Sequence, residues 1–160
     1  MTEYKAFTLK ARGLLNNLPT QTLIISETRD KSFNPIPKMW NAIWDTGASK
    51  SCISPKIVEY LHLIPVGKAS ISTANGLTDT NTYFINVGLP NGVMIPDVLV
   101  SCANLGDSLD VLIGMDIINY GDFSITNFNG RTTFSFRIPS IKETDFVSEY
   151  DNEKKKTTKL

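Results

Sequence analysis

The segment that most restricts what this chain can become is Ala42 to Ser54, A-I-W-D-T-G-A-S-K-S-C-I-S, where one acidic residue follows directly on an apolar run. Ala42, Ile43 and Trp44 read as the end of a buried strand, Thr46-Gly47 as a tight turn, and Cys52 to Ser54 as the chain leaving again. Asp45 therefore stands where an ionised carboxylate is costly. Such a group takes up a proton, finds hydrogen-bond donors, or shares a proton with a second acid. A plain turn is the competing reading, since Asp accepts local backbone hydrogen bonds and Gly tolerates a positive φ. A second motif downstream speaks against it: Val111-Leu112-Ile113-Gly114-Met115-Asp116-Ile117-Ile118, an apolar strand that ends in glycine and runs into a short helical segment.

Composition narrows the function classes. A chain of 160 residues suits one domain, which at this size buries about 70% of its unfolded surface. Sixteen basic and 16 acidic residues leave no net field to favour nucleic acid or an anionic membrane. Cys52 and Cys102 read as buried free thiols. The single His62 reads as a surface residue after a short helix, and it has no nucleophile motif beside it. A zinc site needs more His and Cys than the chain holds, so neither metal nor cofactor is expected. The N-terminal M-T-E-Y-K-A-F-T-L-K lacks the apolar core of a secretory leader, and no apolar run reaches the roughly 18 residues that span a bilayer. A cytoplasmic protein with no membrane partner is the expectation.

Along the chain, Tyr4 to Leu9 and Thr22 to Ser26 read as strands, and the turn residues of Gly13 to Pro19 between them make a first hairpin plausible. Ser32 to Lys38 contains two prolines and reads as a loop. Ser54-Pro55 is a helix start, with serine capping the free amides and Ile57, Val58 and Leu61 on one apolar face. Lys68 to Val87 holds two strand-prone arms around Asn75-Gly76, the signal of a tight hairpin. Leu89 to Gly92 is a turn, Val93 to Val100 a strand, Ser101 to Leu109 a polar loop. Asp116 reads as a helix cap, and Asp97, Asp107, Asp110 and Asp122 as solvated turn residues. Phe123 to Ile125 and Thr132 to Ile138 read as two strands joined at Asn127 to Gly130. Residues 1–141 are expected to form the domain, and the charge-rich 142–160 a disordered tail.

D-T-G-A-S at Asp45 to Ser49, the hairpin around Asn75-Gly76 and I-G-x-D at Ile113 to Asp116 together resemble the retropepsin-like aspartic proteases, over Met39 to Phe136. That family comprises the retroviral proteases with their single-domain cellular and bacterial relatives. The resemblance implies an all-β protomer, a retropepsin-like closed β-barrel or sandwich with a flap hairpin and one or two short helices. It makes Asp45 the catalytic acid, gives the Thr46 hydroxyl the role of tying two active-site loops together across a dimer, and has Gly47 leave room for substrate backbone. Ala48 completes that loop. The hairpin becomes a flap whose tip, Thr73, Ala74, Asn75 and Gly76, closes over bound peptide. Viral members often carry an Asp where this chain has Ser49 and an Arg where it has Met115, an ion pair that must be replaced here by something else.

Only one D-T-G is present, so the implied enzyme is a homodimeric aspartic endopeptidase acting on a peptide or protein substrate, with one Asp45 from each copy. Its substrate would be lined by Ile71 to Thr78, the segment after Gly47, and Pro96 to Val98. Two other classes compete. A catalytically silent dimer of the same fold could serve as a peptide-binding module. Phosphoryl transfer on an Asp nucleophile ranks last, because it needs a lysine or metal-binding acids in a parallel α/β setting.

Overall fold

The computed structural model describes residues 3–26, 33–73 and 76–157 of the chain, without the side chains of 71–73. The strand that delivers Asp45 is β3 (Met39–Trp44), in which Trp40, Ala42 and Trp44 alternate into the core as a period of two requires. It pairs antiparallel with β2 (Leu18–Ile25), Leu18 opposite Trp44, and parallel with β8 (Val111–Ile113), Trp44 opposite Ile113. Flanked on both sides, β3 has no edge. The short β4 (Cys52–Ile53) runs antiparallel to β8 and parallel to β7 (Met94–Cys102), which pairs with the long β6 (Gly76–Gly88).

The end of β6 turns back onto β2, with Leu23 opposite Gly88. The pairing order is therefore a ring, β2-β3-β8-β4-β7-β6 and back to β2, in keeping with the expected barrel or sandwich. Thr22, buried at this closure, donates its hydroxyl to the Gly88 carbonyl at 2.7 Å. The first half of β6 extends beyond the ring and carries β5 (Gly67–Thr73) as a hairpin partner. Thr73 pairs with Gly76, so Gly76 begins β6 rather than sitting inside the turn. Its φ of +105° is open to glycine and strained for other residues.

A second sheet has the order β1-β10-β9, from β1 (Lys5–Lys10), β10 (Thr133–Ile138) and β9 (Asp122–Thr126). Phe134 and Phe136 are fully buried and face the ring. Phe7 meets Phe134 edge-on at 5.4 Å, and Trp44 lies 4.8 Å from Phe136 and 6.2 Å from Phe123. Aromatic pairs in such arrangements contribute about 0.5–1.5 kcal/mol beyond the area they bury. Trp44, the residue before Asp45, thus joins the two sheets, and its Nε1–H donates to Thr20 Oγ1 at 3.0 Å.

Three expectations are corrected. Strands β1 and β2 form no hairpin: the apolar Phe7 and Leu9 find Phe136 and Phe134 on β10, while β2 joins β3 and β6. Turn residues between two strands mark a reversal without fixing the partner. Helix α1 (Pro55–Tyr60) starts where expected and buries Ile57, with Leu61 buried just past its end, yet the Ser54 hydroxyl does not cap it. That hydroxyl is buried without a partner, and only the Ser54 carbonyl accepts from Ile57 N. The charged C-terminal stretch is helical over α3 (Phe146–Thr157), exposed along its whole length. Asp145 Oδ1 accepts from Val147 N at 2.9 Å, and Lys154 to Lys156 oppose the negative end of the helix, so its charges suit a helix as well as a coil. Among the described residues no helix is long and apolar enough to cross a membrane.

Candidate active site

Asp45 leaves the ring at the end of β3, anchored by its own N–H donating to the Ile113 carbonyl at 2.9 Å. The chain then reverses: Ala48 N donates to the Asp45 carbonyl at 3.2 Å, and Gly47 N donates to Asp45 Oδ1 at 2.8 Å. One carboxylate oxygen is held by the loop's own backbone. Asp45 is half-buried, and it makes no ion pair with any described residue. Thr46 and Gly47 are exposed, Ala48 is half-buried, and the Thr46 hydroxyl makes no hydrogen bond among the described residues.

The loop is locked from behind by α2 (Met115–Ile118). Met115 N donates to the Ala48 carbonyl at 2.8 Å. Asp116 was expected to cap this helix, but the N-cap residue is Gly114 and the Asp116 carboxylate turns to the loop instead. Its Oδ2 accepts from Ser51 N at 3.0 Å and its Oδ1 from Ser51 Oγ at 2.7 Å, while Ser51 Oγ accepts from Gly114 N at 3.0 Å. Bonds to an ionised acceptor are about twice as strong as neutral ones. Asp116 and Ser51 thereby bind together the two segments in which Ser49 and Met115 lack the viral ion pair. Gly114 is required sterically: a Cβ there would lie 2.7 Å from the Lys50 carbonyl carbon and 2.8 Å from the Ala48 carbonyl oxygen.

Two further acids differ from the solvated state expected of them. Asp110, opposite β3, accepts from Asn41 N at 3.2 Å and lies 4.0 Å from Lys56 Nζ. Asp122 accepts from the Ser140 hydroxyl, which chiefly holds its carboxyl well below the usual range against the opposing effect of burial. The Ile141 amide and Arg137 Nε, at 2.6 Å, add to the lowering. Asp97 and Asp107 are exposed, as expected. Cys52 and Cys102 are free and half-buried; burial first, then the Asp116 and Cys102 charges, push the Cys52 thiol up.

Asp45, Thr46, Gly47 and Ala48 thus form one turn. Thr73 and Gly76 flank the tip of the β5–β6 hairpin, while Ala74 and Asn75 lie outside the described residues. Pro96 and Asp97 line a cleft of about 300 Å³ with Ser26, Phe84, Ile85 and Asn86, and none of Asp45 to Ala48 belongs to its wall. That stretch was expected to line the substrate site, and the cleft does not contain the acid. A groove of about 390 Å³ beside β3 is lined by Asn41 to Ile43 and by Leu105, Ser108 and Leu109. Among the described residues no group of three His, Cys, Asp or Glu could hold a metal ion.

The profile of the family described as "gag-polyprotein putative aspartyl protease" matches residues 37–120, which contain both the Asp45 turn and the Gly114-Met115-Asp116 support. The chain belongs to this family. A retropepsin-like aspartic protease from Rickettsia conorii superposes with a TM-score of 0.55 at 13% identity, covering 86% of this chain and 98% of that one. The foamy viral protease-reverse transcriptase, in complex with an RNA/DNA hybrid, matches at 22% identity and TM-score 0.45, over 64% of this chain and 11% of that one. The EIAV protease complexed with an inhibitor matches at 21% identity and TM-score 0.46, over 66% and 88%. No curated protein sequence matches. Fold and family are those of the retropepsin-like aspartic proteases, with mostly β structure and few short helices.

Proposed function

We propose that the chain is an aspartic endopeptidase in which two copies each contribute one Asp45 to a shared site. The observation that carries this reading is the turn itself. Asp45 is delivered by a strand paired on both sides, one of its oxygens is fixed by Gly47 N, and its loop is braced by Asp116. A carboxylate this firmly placed, with no cation paired to it among the described residues, suits a role in which its second oxygen meets another acid.

Two carboxyls facing one water cannot both ionise at close range, so they hold one proton between them and titrate as a unit. The ionised partner takes a proton from the water, which attacks the peptide carbonyl carbon. The protonated partner gives its proton to the carbonyl oxygen, and collapse of the tetrahedral intermediate releases the amine. In this reading the Thr46 hydroxyl, which makes no bond among the described residues, ties its loop to that of the partner. The β5–β6 hairpin is the flap of this reading, its Gly76 at φ +105° allowing the sharp reversal near the tip.

Asp45→Asn is the direct test, with hydrolysis of a peptide library followed by mass spectrometry. Cleavage is expected to vanish while the circular dichroism spectrum stays that of the wild type. Undiminished cleavage excludes the assignment.

A further inference from the structure

At the end of β3 remote from Asp45, a cavity of about 210 Å³ lies between the end of β2, the loop 33–38, Trp40 and the C-terminal end of α1. Asp45 follows Trp40 by five residues along the strand, so at about 3.3 Å per residue the indole stands roughly 16 Å from the acid. None of Asp45 to Ala48 belongs to the cavity wall. The cavity is held in shape by contacts of its own. Pro35 and Pro37 stiffen the loop, the Tyr60 hydroxyl donates to the Ile36 carbonyl at 2.9 Å, and Phe33 stacks on His62 with ring centres 3.9 Å apart. Ile24, Leu61 and the prolines make most of the wall apolar.

Two polar features interrupt that wall. Lys38 is its one charged member among the described residues, and it makes no ion pair among them. Its Nζ lies 4.2 Å from the centre of the Trp40 ring and 5.5 Å from that of Tyr60, and attraction to the two rings keeps the ammonium at the cavity. Trp40 is 3% exposed, and its Nε1–H is buried with no acceptor among the described residues. A buried donor left unpaired is costly and rare in a folded protein, which points to a ligand that brings the acceptor.

We propose that this cavity binds a small apolar carboxylate, its anion held by the Lys38 ammonium and the Trp40 Nε1–H, and its hydrocarbon body packed against Ile24, Pro35 and Leu61. Each half of such a ligand answers a feature of the wall. A carboxylate has an oxygen for each donor, and bonds to an ionised acceptor are about twice as strong as neutral ones. A cation would meet Lys38 as a like charge, and an alkane would leave both donors unanswered. The volume sets the size. It falls below the roughly 300–1,000 Å³ of sites that take drug-sized ligands, and at about 30 Å³ per water-sized group it takes on the order of seven non-hydrogen atoms. Hexanoate is a probe of that size.

The test titrates hexanoate into the full chain over the millimolar range and follows the indole N–H resonances by heteronuclear NMR. Hexanoate is expected to move the Trp40 resonance saturably. That of Trp44, whose N–H already donates to Thr20 Oγ1, reports the background. Acetate, with the charge and no body, and hexylamine, with the body and the opposite charge, should leave Trp40 unmoved. Lys38→Met keeps the apolar stem without the charge, and Ile36→Glu sets a like charge on the wall at a residue 79% exposed, where the fold tolerates it. Each should weaken hexanoate binding about tenfold or more, with circular dichroism to verify folding. An unmoved Trp40 resonance, an equal response to acetate or hexylamine, or wild-type affinity in either variant overturns the site. The comparison of probes on the wild type needs no substitution. Asp45→Asn should bind hexanoate as the wild type does, so this site and the hydrolytic reading fail separately.

Discussion

Replacing Asp116 by alanine removes both acceptors that Ser51 uses, at 3.0 and 2.7 Å. Ser51 is buried, so its amide N–H cannot turn to water instead. One buried donor left unsatisfied costs about 1–3 kcal/mol. The hydroxyl is the smaller loss, because Ser51 Oγ still accepts from Gly114 N and its proton can rotate. A destabilisation of about 2 kcal/mol is expected, which lowers the melting temperature of a chain this long by about 4–8 °C. Asp116→Asn keeps one oxygen acceptor and should fall between alanine and wild type. Ser51→Ala removes the hydroxyl and leaves the amide, so Asp116→Ala should cost less in that background by about 0.5–1.5 kcal/mol. Chemical denaturation followed by circular dichroism reads all four corners of the cycle. If the loop carrying Asp45 shifts by about 1 Å, cleavage should also fall by on the order of 100-fold. An Asp116→Ala chain that melts within about 1 °C of wild type refutes the reasoning, because the brace would then bear no load.

Gly114→Ala sets a methyl group against the backbone of Lys50 and Ala48, which cannot rotate away, and should destabilise by about 1–3 kcal/mol, with circular dichroism melts as the check. Equal melts would mean that β8 and the Asp45 loop are not in close contact. Asp122, depressed chiefly by the Ser140 hydroxyl, contributes stability that is complete above its unfolded value near pH 4 and is lost as pH falls toward its folded value. The stability difference between wild type and Asp122→Asn should therefore be flat above about pH 5 and shrink below about pH 4. A difference that holds constant on further acidification contradicts this.

The turn at Asp45 was legible because its signal is local: an apolar strand end, an acid and a turn glycine are contiguous in the sequence. Strands β3, β8, β9 and β10 were legible for the same reason, each declaring itself by alternation or an apolar run. What failed was partnership at long range. The first hairpin was misread because the partner of Phe7 and Leu9 is β10, more than a hundred residues away. Asp116 looks like a cap from its neighbours alone. Its actual bond to Ser51 exists because β4 pairs with β8 and brings position 51 beside the start of α2. Asp110 likewise looks solvated until the β3–β8 register sets it against Asn41. In the C-terminal stretch the charge count concealed its arrangement, with Asp145 and Glu149 at one end of the helix and three lysines at the other.

The most direct measurement mixes wild-type and Asp45→Asn chains, unfolded and refolded together so that copies exchange freely. If cleavage requires an Asp45 from each copy, activity follows the square of the wild-type fraction, and an equal mixture retains about one quarter of the wild-type rate. A linear dependence, with about half the rate at equal proportions, would mean that each chain hydrolyses peptides with its own acid alone, and the paired-carboxyl account would fall.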